Sequence, residues 1–403
     1  MTTSLVLSTA FRNFADPSIS QIRNPPYVVA GDNAVDQIGE RLIDITGSPG
    51  GVLLVVDHAL ARHESAARVV RSLEKHGCTI DLFDEVRAEP DMALAAALSS
   101  TIRSKAYRAV VGLGGGSAMD PAKLAAMLAT NDGAVETYAA GTRFEHPGLP
   151  LILVPTTAGT GAEASKNSIL SHENRKMVIS DPRLVCSLAV LDPTVALSAP
   201  PPVTASSGLD ALCHAVETYI SSSASAFTAA NSLAAAEIIS KWLPLSYADG
   251  SDLAARRAML YGAHLAGVAL NAGTLLGHTM AYTIATRTHL PHGVTAGMSL
   301  PYCLAYNGPA IADRLEDLAR VLQTDNVVLW AADICKRLSI PCSLEEADLT
   351  RQDIPGMVQE CMTRYPRPNN PVPFDAALLR RLYEYFLVGD VDSALSGLAG
   401  ARG

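Results

Sequence analysis

Four residues in the second half of the sequence combine one carboxylate with three imidazoles. Asp210 and His214 are four positions apart, a spacing that places both side chains on one face of a helix. His278 and His292 are fourteen positions apart, and Pro291 directly precedes the second. Because proline interrupts a helix, we expect the chain to stop, turn and bring His292 back towards His278. This donor set suits a divalent first-row ion such as Fe²⁺ or Zn²⁺, although a lone histidine is more often a surface or core residue than a ligand.

A glycine run in the first half could bind phosphate. Gly114, Gly115, Gly116 and Ser117 directly follow a short apolar stretch and precede an expected helix. A strand, a glycine turn and a helix in that order present free backbone N–H groups, and the helix N-terminus adds partial positive charge. The run does not have the G-x-G-x-x-G spacing of many dinucleotide sites, and a generic glycine turn remains an alternative.

Two further segments follow expected strands. Asp57 ends an apolar run and could accept hydrogen bonds from an adenosine ribose, or could simply cap a helix. In the ribose role it would repel a 2′-phosphate, which favours NAD over NADP. Thr156, Thr157 and Thr160 follow a later strand, where hydroxyl groups suit a pyrophosphate or a nicotinamide. A plain loop is the alternative reading of that segment.

The elements expected to position these residues change character near residue 200. Before it, apolar strands alternate with amphipathic helices, a pattern typical of a parallel sheet covered on both faces. The expected strands cover residues 27–30, 52–56, 79–83, 109–113 and 151–154, and expected helices include 92–104 and 121–129. After a proline-rich break at 199–202, helices are expected at 203–221, 226–245, 253–276, 295–307, 311–323, 327–338 and 375–388.

This change of pattern predicts two domains with a cleft between them. Residues 1–199 are expected to form an α/β, Rossmann-like dinucleotide-binding domain with a parallel sheet. Residues 200–403 are expected to form an all-helical metal-binding and substrate domain. A chain of 403 residues is long enough for two such cores.

Composition excludes several classes of protein. The net charge of −9 and the lack of a Lys/Arg block argue against a nucleic-acid partner. Seven cysteines without a C-x-x-C pair fit a reducing compartment, where most would be small buried side chains. Because no long uninterrupted apolar run and no signal-like N-terminus is visible, we expect a cytoplasmic protein without a membrane partner.

Together these motifs resemble the iron-containing (group III) alcohol dehydrogenase family, within the dehydroquinate synthase-like superfamily. The resemblance covers about residues 25–390. It rests on the segments 114–117 with Asp120, 155–160, 208–211 with His214, 277–278 and 291–293. It implies that Asp210, His214, His278 and His292 hold the metal. It also implies a dinucleotide between the two halves, with its phosphates on the glycine turn. The cofactor would be lined by Asp57, Thr156, Thr157, Thr160, Lys176 and the cleft-facing Asn167.

The sequence departs from the family pattern at three positions. Tyr282 stands where many alcohol-oxidising members carry a second histidine near nicotinamide and substrate. Its phenol can donate a hydrogen bond but is a poorer proton acceptor at neutral pH than histidine. Glu89 replaces the asparagine of an Asn-Pro pair that contacts adenosine. Ala269 stands where some members have an aromatic residue, which implies a roomier substrate pocket.

The resemblance implies a metal-dependent, NAD(H)-linked alcohol dehydrogenase or carbonyl reductase. A small alcohol or aldehyde would be the substrate, and hydride would pass between it and nicotinamide. Alternatives on the same scaffold are a maleylacetate reductase-like enzyme that reduces a C=C bond and a dehydroquinate synthase-like lyase. A non-catalytic metabolite-binding protein is a further alternative. The family also implies a homodimer or larger homo-oligomer.

Overall fold

The computed structural model describes residues 8–10, 14, 21–172 and 175–400, and the chain divides into two compact units. The α/β unit comprises residues 22–199 and 250–268. The helical unit comprises residues 200–249 and the described residues from 269 onwards, together with those of the first 21 positions. A change of unit therefore coincides with the proline-rich break at residue 199, and residues 250–268 group with the first half of the chain.

The α/β unit is built on a six-stranded parallel sheet. Its strands are β1 (Tyr27–Ala30), β2 (Gly51–Asp57), β3 (Thr79–Val86), β4 (Ala109–Gly114), β5 (Leu151–Pro155) and β8 (Leu188–Leu191). Their order across the sheet is β1-β8-β5-β4-β2-β3, and every neighbouring pair is parallel. A separate antiparallel hairpin consists of β6 (Asn167–His172) and β7 (Arg175–Ser180).

Both faces of the sheet are covered. Alternate residues of β2 lie in two separate apolar cores, one containing Leu53 and Val55, the other Val52, Leu54 and Val56. Since successive side chains of a strand point to opposite faces, a strand buried on both sides must be apolar throughout. The helices that cover it include α1 (Ile38–Thr46), α2 (Glu64–Lys75), α3 (Met92–Arg103), α4 (Gly116–Leu128) and α5 (Val135–Ala139).

The rest of the chain is helical. The helices are α6 (Pro201–Ile220), α7 (Ala226–Ala248), α8 (Leu253–Ala269), α9 (Leu276–Ala285), α10 (His292–Asn307), α11 (Ala312–Leu322), α12 (Val327–Arg337), α13 (Ile354–Thr363), α14 (Ala376–Leu387) and α15 (Val391–Gly400). Helices α6 and α10 are buried over most of their length, so they form the centre of the helical unit. The expected fold class, a parallel α/β half followed by a helical half, is confirmed.

Most expected helices differ by a few residues at their ends, and three of these differences have a structural cause. The helix expected at 253–276 ends at Ala269, because the chain turns at Gly273, whose φ of 73° is a left-handed value. The helix expected from Pro121 begins at Gly116, directly after the glycine turn. The helix expected from Thr295 begins at His292, one residue after Pro291. The hairpin β6–β7 and strand β8 were not predicted.

Helix α8 joins the α/β unit through a close backbone contact. A Cβ atom added to Gly267 would lie 2.7 Å from the carbonyl oxygen of Gly161. His264, one turn earlier, faces Glu163 with 3.1 Å between Nδ1 and Oε1. These contacts explain why a segment beyond residue 200 groups with the sheet.

The seven cysteines are free thiols, and six of them are buried, as expected from their number and spacing. Within the described part of the chain, no single helix has the length and apolar composition to cross a membrane. One consecutive pair separated by a break, 253–272 with 276–285, meets both criteria jointly.

Candidate active site

Helix α6 supplies three polar residues to one face. Two prolines open this helix, where their missing N–H groups cost nothing because first-turn amides have no intrahelical acceptor. Asp210, His214 and Glu217 then follow at spacings of four and three residues and share a face. All three are buried. A helix that buries so many polar groups must supply each with a partner or a ligand.

The break between α9 and α10 brings two more imidazoles to that face. Helix α9 carries His278 in its first turn and ends at Ala285, and α10 begins with His292. The ring centroids of His278 and His292 are 5.5 Å apart, so the chain reverses as the proline predicted. The ring of His214 stacks on that of His278 at 4.7 Å.

The three imidazoles surround one carboxylate oxygen. From Asp210 Oδ1, the Nε2 atoms lie at 3.7 Å for His214, 3.6 Å for His278 and 3.7 Å for His292. Ligand atoms that sit about 2.1 Å from one tetrahedral ion are roughly 3.4 Å from one another. The donor atoms of Asp210, His214 and His278 all lie within 4.8 Å of one another, so these three residues can hold a single first-row divalent ion, and His292 Nε2 approaches the same carboxylate oxygen.

The hydrogen bonding of the donor atoms supports the same reading. Asp210 Oδ1 and His278 Nε2 are buried and have no hydrogen-bond partner among the described residues. A buried acceptor of this kind costs free energy unless something binds it. A cation at the centre of the set would satisfy both atoms, so these residues fit a metal.

Glu217 contacts the ring nitrogen of His278 that does not face Asp210. Its Oε1 lies 2.7 Å from His278 Nδ1, and its Oε2 accepts a hydrogen bond from the backbone N–H of Leu275. A carboxylate at Nδ1 fixes the proton there and leaves Nε2 as the donor towards a metal. Helical spacing from Asp210 and His214 is a signal that could have identified Glu217 from the sequence.

Electrostatics within the donor set are strong. Burial alone would lower the pKa of His278, but Glu217 and Asp210 outweigh it and raise that pKa to about 9. Burial would raise the pKa of Asp210, and the neighbouring imidazoles outweigh it and hold that pKa well below its usual range. The carboxylates of Asp210 and Glu217 therefore favour positive charge between them, which without a metal is the proton on His278.

Tyr282 lies directly beside the donor set. Its ring stacks on that of His292, with centroids 5.2 Å apart and planes inclined by 17°. The ring centroid of Tyr365 lies 5.1 Å from that of Tyr282, and the guanidinium carbon of Arg367 lies 5.9 Å from the Tyr282 ring centroid. Burial raises the pKa of Tyr282, against the opposing charge of Arg367. The phenol is therefore a hydrogen-bond donor at neutral pH. Sequence reasoning missed Tyr365 and Arg367, and nothing in the local sequence connects them with Tyr282.

In the α/β unit, the residues expected to bind a cofactor follow neighbouring strands. Asp57 ends β2, the glycine turn follows β4, and Thr156 follows β5. Because these parallel strands are adjacent, their carboxyl ends meet at one edge of the sheet, where ligands bind in open α/β sheets. Asp57 also caps the turn after β2 by accepting a hydrogen bond from the N–H of Ala59 at 3.0 Å.

The glycine turn leaves no room for side chains. A Cβ on Gly114 would lie 2.8 Å from that of Ala118, and the φ of 148° at Gly114 disfavours other residues. A Cβ on Gly115 would meet the Thr157 hydroxyl at 3.0 Å, and one on Gly116 would meet a Thr160 methyl at 2.8 Å. Ser117 follows in the first turn of α4. The structure thus brings the glycines and the threonine segment together.

Three remaining residues of the expected cofactor set have internal partners. Asp120 accepts a hydrogen bond from the N–H of Ile169, and burial raises its pKa to about 6. The carbonyl of Asn167 accepts a hydrogen bond from buried Lys123 at 2.6 Å. Lys176 pairs with Glu89, and burial lowers the Lys176 pKa to about 8. Glu89 thus has a structural partner at the position where the family has asparagine.

Comparisons with known proteins cover most of the chain. Residues 25–193 match the iron-containing alcohol dehydrogenase family, and residues 204–387 match the C-terminal domain of the Fe-containing alcohol dehydrogenase family. A long-chain-alcohol dehydrogenase of Geobacillus thermodenitrificans is 32% identical over 390 residues, which are 93% of this chain and 98% of the relative.

Solved structures agree with these matches. The crystal structure of a 1,3-propanediol oxidoreductase is similar with a TM-score of 0.85 and 28% identity, over 92% of this chain and 100% of the other. A sulfoacetaldehyde reductase from Bifidobacterium kashiwanohense, solved with NAD⁺, gives a TM-score of 0.84 and 27% identity, over 92% and 99%. The resemblance seen in the motifs is thereby confirmed, and the chain belongs to the iron-containing alcohol dehydrogenase family of oxidoreductases.

Proposed function

We propose that the protein is a metal-dependent, NAD(H)-linked alcohol dehydrogenase or carbonyl reductase. The observation that carries the proposal is the buried Asp210 Oδ1 surrounded by three imidazole nitrogens at 3.6 to 3.7 Å. The ligands would be Asp210, His214, His278 and His292. In the reducing direction, an aldehyde, NADH and a proton give an alcohol and NAD⁺.

The chain's own residues orient the reactants. A bound divalent ion would polarise the carbonyl as a Lewis acid, and nicotinamide would supply the hydride. Glu217 fixes the tautomer of His278. Tyr282, protonated at neutral pH, would donate a hydrogen bond to the oxygen of the substrate. That role suits a phenol whose pKa burial has raised, whereas proton abstraction does not.

The α/β unit would bind the dinucleotide and the helical unit the metal. Phosphates would lie on the N–H groups at Gly114, Gly115, Gly116 and Ser117, near Thr156, Thr157 and Thr160. Lys176, Asn167 and Asp120 would also belong to that site, farther from the phosphates. Asn167 and Lys176 are part of the hairpin β6–β7, and Asp120 accepts a hydrogen bond from it. Asp57 at the end of β2 would favour NAD over NADP.

Relatives support this choice of cofactors. One related protein is named an NAD-dependent methanol dehydrogenase, and the sulfoacetaldehyde reductase structure contains NAD⁺. We propose Fe²⁺ as the native ion, with Zn²⁺ accepted by the same ligands. We further propose a small alcohol or aldehyde substrate, a cytoplasmic location and a homodimer or larger homo-oligomer.

A screen of alcohols and aldehydes tests the function. Protein reconstituted separately with Fe²⁺ and Zn²⁺ is mixed with NADH or NADPH, and absorbance at 340 nm is followed. We expect aldehyde-dependent loss of NADH, with NADPH slower, and none in Asp210→Ala. Full turnover by metal-free Asp210→Ala would overturn the proposal. Reduction of maleylacetate without reduction of any aldehyde would favour the C=C reductase, and lyase activity without net NADH change would favour the synthase-like alternative.

A further inference from the structure

A positive charge lies next to the candidate active site and was not expected from the motifs. Arg367 belongs to the loop between α13 and α14. Its guanidinium carbon is 5.9 Å from the ring centre of Tyr282, which stacks on His292 at 5.2 Å. The guanidinium is therefore one aromatic ring away from a candidate metal ligand.

This charge has no anionic partner in the described part of the protein. Arg367 Nε is buried without a hydrogen-bond partner, and no described carboxylate forms an ion pair with its side chain. Other arginines nearby are paired: Arg287 lies 2.9 Å from Glu360, and Arg364 lies 3.5 Å from the same carboxylate. A partly buried guanidinium with a free donor is costly unless something binds it.

The charged end of Arg367 faces the residues around the donor set. Its guanidinium carbon lies over the face of the Tyr282 ring, and its Nε is buried. A substrate oxygen that accepts a hydrogen bond from Tyr282 would thus have Arg367 as its neighbour.

We propose that Arg367 binds an anionic group of the substrate. The substrates would be aldehydes and alcohols that carry a carboxylate, sulfonate or phosphonate near the reacting carbon. A guanidinium presents Nε and a terminal nitrogen as a planar fork that matches two oxygens of such a group. This inference rests on the proposed function and adds the class of substrate to it.

Matched substrate pairs test the inference. The aldehydes are succinic semialdehyde against butanal and sulfoacetaldehyde against propanal, each reduced with NADH by the metal-loaded enzyme. We expect kcat/KM to be at least about tenfold higher for the anionic member of one pair or both, because a charge-assisted bidentate contact is strong. Arg367→Met should abolish that preference, because kcat/KM should fall at least about tenfold more for the anionic aldehydes than for the neutral ones. Arg367→Lys should retain part of it.

Arg364→Met is the matched control. It removes a positive charge three residues away on the same loop, but that side chain is 56% exposed and paired with Glu360. The ratio of the two kcat/KM values should stay unchanged in this variant. An equal fall in kcat/KM for the anionic and the neutral substrate in Arg367→Met would mean that the residue only supports Tyr282 and Glu217, and would overturn the inference. A wild-type enzyme that does not prefer the anionic substrate of either pair would also overturn it, whether or not the variants fold.

A binding measurement separates the inference from the function. Ethanesulfonate, which has no carbonyl, is titrated into the protein without cofactor and followed by calorimetry. We expect saturable binding that is lost in Arg367→Met and kept in Arg364→Met. If no aldehyde of either kind reacts but ethanesulfonate binds in this way, the proposed function fails and the anion site stands. If neutral aldehydes react and ethanesulfonate does not bind, the anion site fails and the function stands.

Discussion

Glu217 is a charged side chain with no exposed surface, and its main contact is with His278. Such a carboxylate raises the basicity of the imidazole it touches and fixes the ring for metal binding. We predict that Glu217→Gln lowers the affinity for Zn²⁺ about 10- to 100-fold, as measured by competition with a chelator. Glu316→Gln removes an exposed carboxylate from α11 and should change nothing. Equal affinities in the two variants would assign Glu217 to folding alone.

The raised pKa of His278 predicts proton release on metal binding. Without metal, a pKa of about 9 leaves this ring protonated at pH 7, whereas a ligand imidazole must be neutral. Metal binding at pH 7 should therefore release close to one proton from this residue, and affinity should fall as the pH is lowered. Calorimetry in two buffers with different ionisation enthalpies counts the protons. Release that is unchanged between pH 7 and pH 10 would contradict the prediction.

Individual site residues differ in how far the sequence predicts them. Asp210 and His214 can be predicted from the sequence because helical spacing is a local property. His278 and His292 can be predicted because a proline marks the reversal of the chain between them. Arg367 cannot, since its contact with Tyr282 joins positions 85 apart through a loop that no periodicity describes. Long-range placement of loop residues is set by packing, and motifs do not report it.

At the scale of elements, the approach of α10 to α6 depends on Gly293. A Cβ at this position would lie 1.9 Å from the carbonyl oxygen of Ser206 on α6. Gly293→Ala should push the first turn of α10 away and displace His292. We predict a loss of about 1–3 kcal/mol in the free energy of unfolding, measured with denaturant, and weaker Zn²⁺ binding.

Gly308, at the opposite end of α10, provides the control. No heavy atom lies within 4 Å of a Cβ placed there, and its φ of −41° is an ordinary helical value. Gly308→Ala should keep both stability and metal affinity. If Gly293→Ala behaves in the same way, the close contact does not position His292.

The elements themselves were predicted unevenly, for physical reasons. Strands β1, β2, β4 and β5 are largely apolar runs bounded by turn residues, which is a local signal, whereas β3 mixes apolar residues with two aspartates and a glutamate. The hairpin β6–β7 mixes serine, lysine and arginine with apolar residues, which weakens its pattern. Strand β8 is as short as β1 and wholly apolar, so its length does not explain why it was not predicted. Helix α8 ends shortly before Gly273, which has a positive φ. The helix-forming residues around this glycine favour a longer helix when only the sequence is considered.

For the whole molecule, each ligand should stabilise the native state by mass action. A ligand at a hundred times its dissociation constant adds about 2.7 kcal/mol if it binds only the folded chain. We predict that Zn²⁺ and NADH each raise the thermal midpoint of the wild-type protein. In Asp210→Ala the shift with Zn²⁺ should vanish and the shift with NADH should remain. Loss of both shifts together would show that the variant has lost its fold and not only a ligand.

The backbone contact between Gly161 and Gly267 has a consequence for how this protein can be recombined. The chain leaves the α/β unit at residue 199 and returns to it for residues 250–268, so one crossover cannot exchange that unit between relatives. A chimera joined at residue 199 would combine the Gly161 of one parent with the Gly267 position of another. Any larger residue there would meet a carbonyl at 2.7 Å. Functional chimeras that exchange the α/β unit should therefore carry residues 250–268 together with residues 22–199, which takes four junctions, at 21/22, 199/200, 249/250 and 268/269.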